Sequence, residues 1–408
     1  MIAADRPVQR PATARLLHVD RHGAIRHAPR SQLTQFLSPG DLVVANDAAT
    51  LPASLHGLHV RTGLPVEVRL AGKPSLSTRD ARHFIAVVFG AGDYRMRTEE
   101  RSLPPGLQSN DELLLGSLSA RIERVLDHPR LVALRFEAEP SELWRGLATH
   151  GRPIQYAHLS EPLALWDVWT SIAGAPVAYE PPSAGFALDW QMLAQFEARG
   201  IRFATLTHAA GISSTGDPQL DDLLPFDEPY RIPAATEQAI AAALCEGRRI
   251  VAIGTTVVRA LEHSAATFGS VAAGESIANL RIGAQTQLRV VDALLSGTHE
   301  PDTSHYALLQ AFADKAALRR ADDALNGAGY RTHEFGDSVL IERDSRRYSR
   351  ATERRATAEI AAEVFPEMQG LVGPAEPRIL RGFPSASAHV VQESHRLSPA
   401  RGLVRLRH

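Results

Sequence analysis

Cysteine and lysine are nearly missing from this sequence of 408 residues: the one cysteine is Cys245, and the lysines are Lys73 and Lys315. A single cysteine excludes an intramolecular disulfide and points to a reducing, cytoplasmic setting. Within "EQAIAAALCEGRR" the expected place of Cys245 is the buried side of a helix, as a packed and inert thiol. The scarcity of lysine reads as a compositional bias and carries no chemistry. No apolar run approaches the ~20 residues of a membrane-spanning helix. The N-terminal "MIAADRPVQRPATARLL" has arginines but no apolar core, so a signal peptide is not expected. P-loop, GxGxxG, CxxC and nucleophile-elbow motifs are also missing, which removes the commonest nucleotide-binding, redox and serine-hydrolase readings.

Charge is unevenly spread. Residues 343–408 hold 12 Arg against 7 Asp and Glu, whereas residues 1–342 carry a net charge of −7. An acidic body lacks the footprint of a polyanion binder, because phosphate contacts dominate nucleic-acid affinity. The stretch from 344 to 408 is rich in Pro, Ser, Gly and Arg without periodicity and is expected to be a flexible basic tail.

Most of the chain alternates between strand and helix patterns. "ARLLHVDRHGAIRH" predicts a hairpin, and "SPGDLVVAND" a turn followed by a buried strand ending at Asn46 and Asp47. "DWQMLAQFEARG", "IRFATLTHA", "AATEQAIAAALCEGR", "RIVAIGTT" and "VVRALEHSAA" then alternate helix, strand, helix, strand, helix. That order predicts an α/β domain with a mixed sheet. Between about 57 and 138, short alternating segments such as "LPVEVRLAG" and "HFIAVVFG" predict a small antiparallel β-barrel. The expected organisation is an α/β domain from 1–56 and 139–343, an inserted barrel at 57–138, and the tail.

The stretch "IVAIGTTVVRALEH" turns a buried strand sharply into a helix, with Thr255 or Thr256 placed to cap it. A helix N-terminus carries about half a positive charge, so an anion there meets backbone N–H groups and a hydroxyl. Arg259, one turn on, is placed either to clamp a carboxylate or to pair with Glu262 at i,i+3. "SGTHEPDTSHY" supplies His299, Asp302, Thr303, Ser304 and His305 after a buried strand, where α/β sheets carry their sites. Its two histidines are six residues apart, which does not put them on one helical face, and no metal site is expected. Gly185 in "EPPSAGFAL" and Gly211 in "TLTHAAGIS" permit close backbone approach, with Ser183 and His208 beside them. Asp337 in "FGDSVLI" is placed to hold ribose hydroxyls or to cap a turn.

Taken in order, "ARLLHVDRHGAIRH", "LSPGDLVVANDAATLPASLHG", "PPSAGF", "AIGTTVVRALE", "VVDALLSGTHEPDTS" and "YRTHEFGDSVLI" resemble the S-adenosylmethionine:tRNA ribosyltransferase-isomerases of queuosine biosynthesis. The resemblance covers most of residues 2–342. It implies an α/β domain interrupted by a β-barrel. It also implies a reaction that moves the ribosyl part of S-adenosylmethionine onto the aminomethyl group of a 7-deazaguanine in tRNA, releasing adenine and methionine. S-adenosylmethionine is then a co-substrate and no prosthetic group is expected.

The sulfonium acidifies the C5′ hydrogens, so a base must stand near it. His299 is the first candidate and Glu228 the second. The Thr255/Thr256 helix end with Arg259 is the expected anchor for the methionine carboxylate. Ser183–Gly185 and Ala210–Gly211 are the expected adenine slot, and Asn46, Asp47, His208 and Asp337 are further substrate-facing candidates. The sequence departs from the family where polar groups are usual: Ala48, Ala49 and Ser54 stand in place of Thr, Arg and Arg, Ala187 and Phe226 in place of histidines, and Gly297-Thr298 in place of Asn-Phe. These losses weaken the expectation of a tRNA track and keep open a small acceptor, or a ligand-binding protein without catalysis.

Overall fold

The computed structural model describes residues 1–79, 82–299 and 303–344. The tail expected beyond 344, and Asp302, lie outside the described residues. In chain order the longer strands are β1 (Arg15–Val19), β2 (Ile25–Pro29), β3 (Leu42–Asn46), β4 (Ser54–His59), β5 (Leu64–Gly72), β6 (His83–Phe89), β7 (Glu112–Leu115), β8 (Leu118–Val125) and β9 (Leu131–Phe136). They continue with β10 (Arg202–His208), β11 (Glu228–Ile232), β12 (Ile250–Ile253), β13 (Gly274–Ala278), β14 (Ala293–Gly297) and β15 (Ser338–Glu342). The longer helices are α1 (Pro140–His150), α2 (Trp190–Ala198), α3 (Ala234–Cys245), α4 (Thr255–Phe268), α5 (Ser304–Leu309) and α6 (Lys315–Gly327).

Nine of them form one mixed sheet in the order β13-β11-β10-β3-β12-β14-β15-β1-β2. Its centre is parallel, β10, β3, β12 and β14 running side by side. The reason is visible in β3, "LVVAN", buried at every position: a strand with both faces covered needs an unbroken apolar run. Alternation divides that run between two layers. Leu42 and Val44 face the cluster containing Val257, Val258 and Leu261 of helix α4 (Thr255–Phe268), and Val43 and Ala45 face Met192 and Phe196 of the helix Trp190–Ala198.

The expected insertion is a closed six-stranded barrel in the order β8-β9-β6-β5-β4-β7. Its interior is filled by residues that alternate along the strands, Val66, Val68 and Leu70 on β5 and Phe84, Ala86 and Val88 on β6. The opposite face of β5 carries Glu67 and Arg69, buried together with Arg101. The two guanidinium groups hold the Glu67 carboxyl down at about 2 against its burial.

One expectation about the helices fails. Cys245 ends the helix Ala234–Cys245 on the solvent side and is exposed, because Ile240 and Ala243 supply its buried face.

Candidate functional site

A cavity of about 490 Å³ lies at the carboxyl ends of the four parallel strands. Loops leaving β10 and β12, the start of α4, the end of β14 and helix α5 (Ser304–Leu309) line it, together with Glu180, Ser183 and Ala184 of the preceding turn. This is where a doubly wound sheet opens a crevice.

Gly254 makes the opening of α4. It is the N-cap, with φ of 98°, and a Cβ there would stand 3.5 Å from the Cβ of Ala184. Neither threonine is the capping residue, contrary to the sequence expectation: Thr255 and Thr256 are the first helical residues, and no side chain caps the helix. Asn46 instead donates to Thr256 Oγ1 at 3.3 Å. Both threonines line the cavity, so the uncapped first turn presents its N–H groups there.

Arg259 also reaches the cavity, but its guanidinium is already engaged. Nη1 donates to Glu228, Nη2 to the carbonyls of Phe226 and Ala278 at 3.1 and 3.0 Å, and Nε to that of Leu280 at 3.4 Å. The carboxylate clamp expected of Arg259 gives way to an internal ion pair, and the alternative pairing with Glu262 fails as well. Glu262 accepts from the backbone of Arg289, Val290 and Val291.

Glu228, the second candidate base, is held at both oxygens: Oε2 by Arg259 and Oε1 by the Gly211 N–H at 2.5 Å. Burial pushes its carboxyl upward and Arg259 opposes this. A Cβ on Gly211 would lie 2.9 Å from Glu228 Oε1 and 3.2 Å from the Ala71 carbonyl oxygen, so a side chain here would push the carboxylate out of place.

His299 lines the cavity, its Nε2 2.9 Å from Ser296 Oγ and its ring stacked on His305 at 4.6 Å. The loop therefore brings together two histidines whose spacing kept them off one helical face. Burial, with His305 and His333 close by, drives His299 well below its ordinary value, and burial together with Arg259 brings His305 to about 4. Both imidazoles are neutral at pH 7, and a neutral imidazole can accept a proton.

Four other sequence candidates serve the framework. Asn46 clips β3 to β10, donating to the His208 carbonyl at 2.9 Å and accepting from the N–H groups of His208 and Ala48. Asp47 accepts from the hydroxyls of Thr205 and Thr207 at 2.8 and 2.7 Å. His208 is fully buried behind Glu228, 3.5 Å from its Oε2. Asp337 accepts from the backbone of Arg15 and Arg331 and from the Arg15 guanidinium, which braces the turn before β15. Ser183 lines the cavity, whereas Gly185 lies behind it, where a Cβ would meet Thr170 at 3.0 Å.

Glu180 was overlooked, although it begins the "EPPSAGFAL" stretch singled out for its glycine. It is buried on the cavity wall, hydrogen-bonded to Tyr156, and burial raises its carboxyl to about 7. The burial cost in the folded state is absent below the unfolded value near 4.5 and grows as pH rises to about 7. Glu180→Gln should therefore gain on the native protein by up to about 3 kcal/mol across that window. Denaturant midpoints at several pH values measure this, and a pH-independent difference contradicts it.

Among the described residues, His158, His333 and Glu334 bring three potential metal-ligating atoms within 4.8 Å of one another. The two rings stack 4.2 Å apart and nearly parallel, so a cation in the plane of one is out of the plane of the other. The His158–Glu334 contact at 3.1 Å gives the group a structural role.

The profile of a family described as "Queuosine biosynthesis protein" matches residues 1–341. The chain is 33% identical to an S-adenosylmethionine:tRNA ribosyltransferase-isomerase of Sorangium cellulosum, over 83% of this chain and 95% of that one. It is 30% identical to proteins of the same name from Citrifermentans bemidjiense, over 83% and 96%, and from Thermus thermophilus, over 80% and 92%.

Proposed function

Since the chain belongs to the queuosine biosynthesis protein family, we propose that it is an S-adenosylmethionine:tRNA ribosyltransferase-isomerase. In this reading it moves the ribosyl group of S-adenosylmethionine onto the 7-aminomethyl-7-deazaguanine of a tRNA and remakes it as an epoxycyclopentanediol.

The observation that carries this reading is one cavity in which an uncapped helix N-terminus meets a neutral imidazole. S-adenosylmethionine presents a carboxylate and an acidified C–H to match them. The N–H groups at Thr255 and Thr256 receive the methionine carboxylate. Ser183, Ala184, Ala210 and Gly211, all small, line the part of the cavity that receives adenine. His299 takes the proton from C5′, with Ser296 fixing its ring. Arg259 and Glu228 act as positioning residues, tying α4, β11 and the Gly211 loop into one wall.

The enzyme incubated with S-adenosylmethionine should release adenine when tRNA bearing the aminomethyl base is added, as chromatography of the products would detect. Equal release without tRNA points to a different acceptor. No release in either case, with S-adenosylmethionine bound, removes the enzymatic reading.

A further inference from the structure

Glu180 belongs to the cavity wall but has no part in the roles assigned above. Its surroundings are built to hold a carboxyl in either protonation state. Tyr156 Oη is hydrogen-bonded to Glu180 Oε1 and lies 3.1 Å from the Ser214 carbonyl oxygen. A phenol has one proton. When that proton lies on the Ser214 carbonyl, the contact to Glu180 needs a proton from the carboxyl, and Glu180 is the acid. When the hydroxyl turns to Glu180, Ser213 also donates to the carboxylate from its N–H and its side chain, and the conjugate base is held. Arg69 and Glu334 are charged groups that act on this pair, in opposite directions. Burial and these donors balance near neutrality, with the carboxyl at about 7.

Across the same cavity His299 is kept unprotonated. Two titratable groups whose surroundings push them to opposite protonation states mark an acid and a base.

We infer that Glu180 is the proton donor to the departing adenine, an assignment that rests on the ribosyl-transfer reading. The C1′–N9 bond breaks with its electron pair passing to adenine. The Glu180 O–H bond breaks, and its proton joins a ring nitrogen. His299 takes one proton at C5′ and Glu180 gives one to adenine, so the exchange is balanced without an added reagent. Tyr156 then donates to the new carboxylate.

The test compares the native enzyme, Glu180→Gln and Tyr156→Phe in adenine release from S-adenosylmethionine with precursor tRNA, beside binding of S-adenosylmethionine by calorimetry. Glu180→Gln should lose about 10²–10⁴-fold in rate with binding within threefold. The native rate should fall above about pH 7, as the acid is lost, and that alkaline limb should vanish in the variant. An S-adenosylmethionine analogue carrying 2-fluoroadenine, a better leaving group, should recover much of the loss. Tyr156→Phe keeps the carboxyl and should lose less, with its alkaline limb displaced. A Glu180→Gln rate within threefold of native, an unchanged alkaline limb, or an equal loss with the fluorinated analogue overturns the assignment. A native enzyme that releases no adenine fails the ribosyl-transfer reading itself, a result separate from these.

Discussion

Replacing His299 by alanine should slow adenine release by about 10²–10⁴-fold, the usual contribution of a positioned general base. Binding of S-adenosylmethionine should change little, because the proposed carboxylate seat is on α4 and the proposed adenine slot is formed by other loops. The pH dependence gives the sharper reading. His299 is held well below the ordinary value of 6.5, first by burial and then by His305 and His333. A depressed imidazole stays unprotonated as pH falls, so the acid limb of the rate profile should lie below 6.5. Ser296→Ala removes the hydrogen bond at 2.9 Å but leaves the ring on His305, and should cost much less than His299→Ala. Equal losses in the two variants, or a His299→Ala enzyme near native rate, would move the base elsewhere in the cavity.

The largest effect on stability should come from the pair at the cavity's back wall. Arg259→Ala leaves Glu228 as a buried carboxylate that keeps the Gly211 N–H as a donor, with His208 3.5 Å away and the like charge of Asp227 unopposed. Removing one partner of a buried ion pair costs about 3–5 kcal/mol, and Glu228→Ala should cost a similar amount by stranding Arg259. Joint replacement by apolar residues of similar size should restore much of the loss, because neither charge is then left without its partner. Chemical denaturation of the two single variants and the double one measures this. Additive losses would show that the two residues act independently. S-adenosylmethionine binding by Arg259→Ala should weaken in step with the disordering of the α4 start, and Arg259→Lys should recover little, since three carbonyls and a carboxylate need the full guanidinium fork.

The architecture was legible because it rests on periodicity. The unbroken apolar runs at 42–45 and 250–253 announced buried strands of a mixed α/β sheet, and the alternation in "LPVEVRLAG" and "HFIAVVFG" announced the barrel. Local burial was less legible. Cys245 ends a helix so rich in alanine that several faces look equally apolar, and the sequence could not choose among them.

Within the site, strand ends and glycines pointed to the right loops. Gly211, Thr255, Thr256, His299 and Glu228 all border the cavity. Which polar groups face it and which tie the frame together depends on contacts between distant segments. Asn46 meets His208, and Asp337 meets Arg15, across separations that no spacing encodes. Arg259 read as a carboxylate clamp or a partner of Glu262 because its actual partner, Glu228, lies on β11, remote in sequence. Glu180 escaped notice for the same reason: its character comes from burial against Tyr156 and Ser213, neither adjacent to it in sequence.

The most direct measurement of the central claim is the mass of the modified nucleoside. Precursor tRNA incubated with this protein and S-adenosylmethionine, then digested and analysed by mass spectrometry, should show the 7-aminomethyl-7-deazaguanine nucleoside enlarged by a five-carbon unit derived from the ribose. That gain should match the adenine released. An unchanged nucleoside in the presence of bound S-adenosylmethionine would contradict the account.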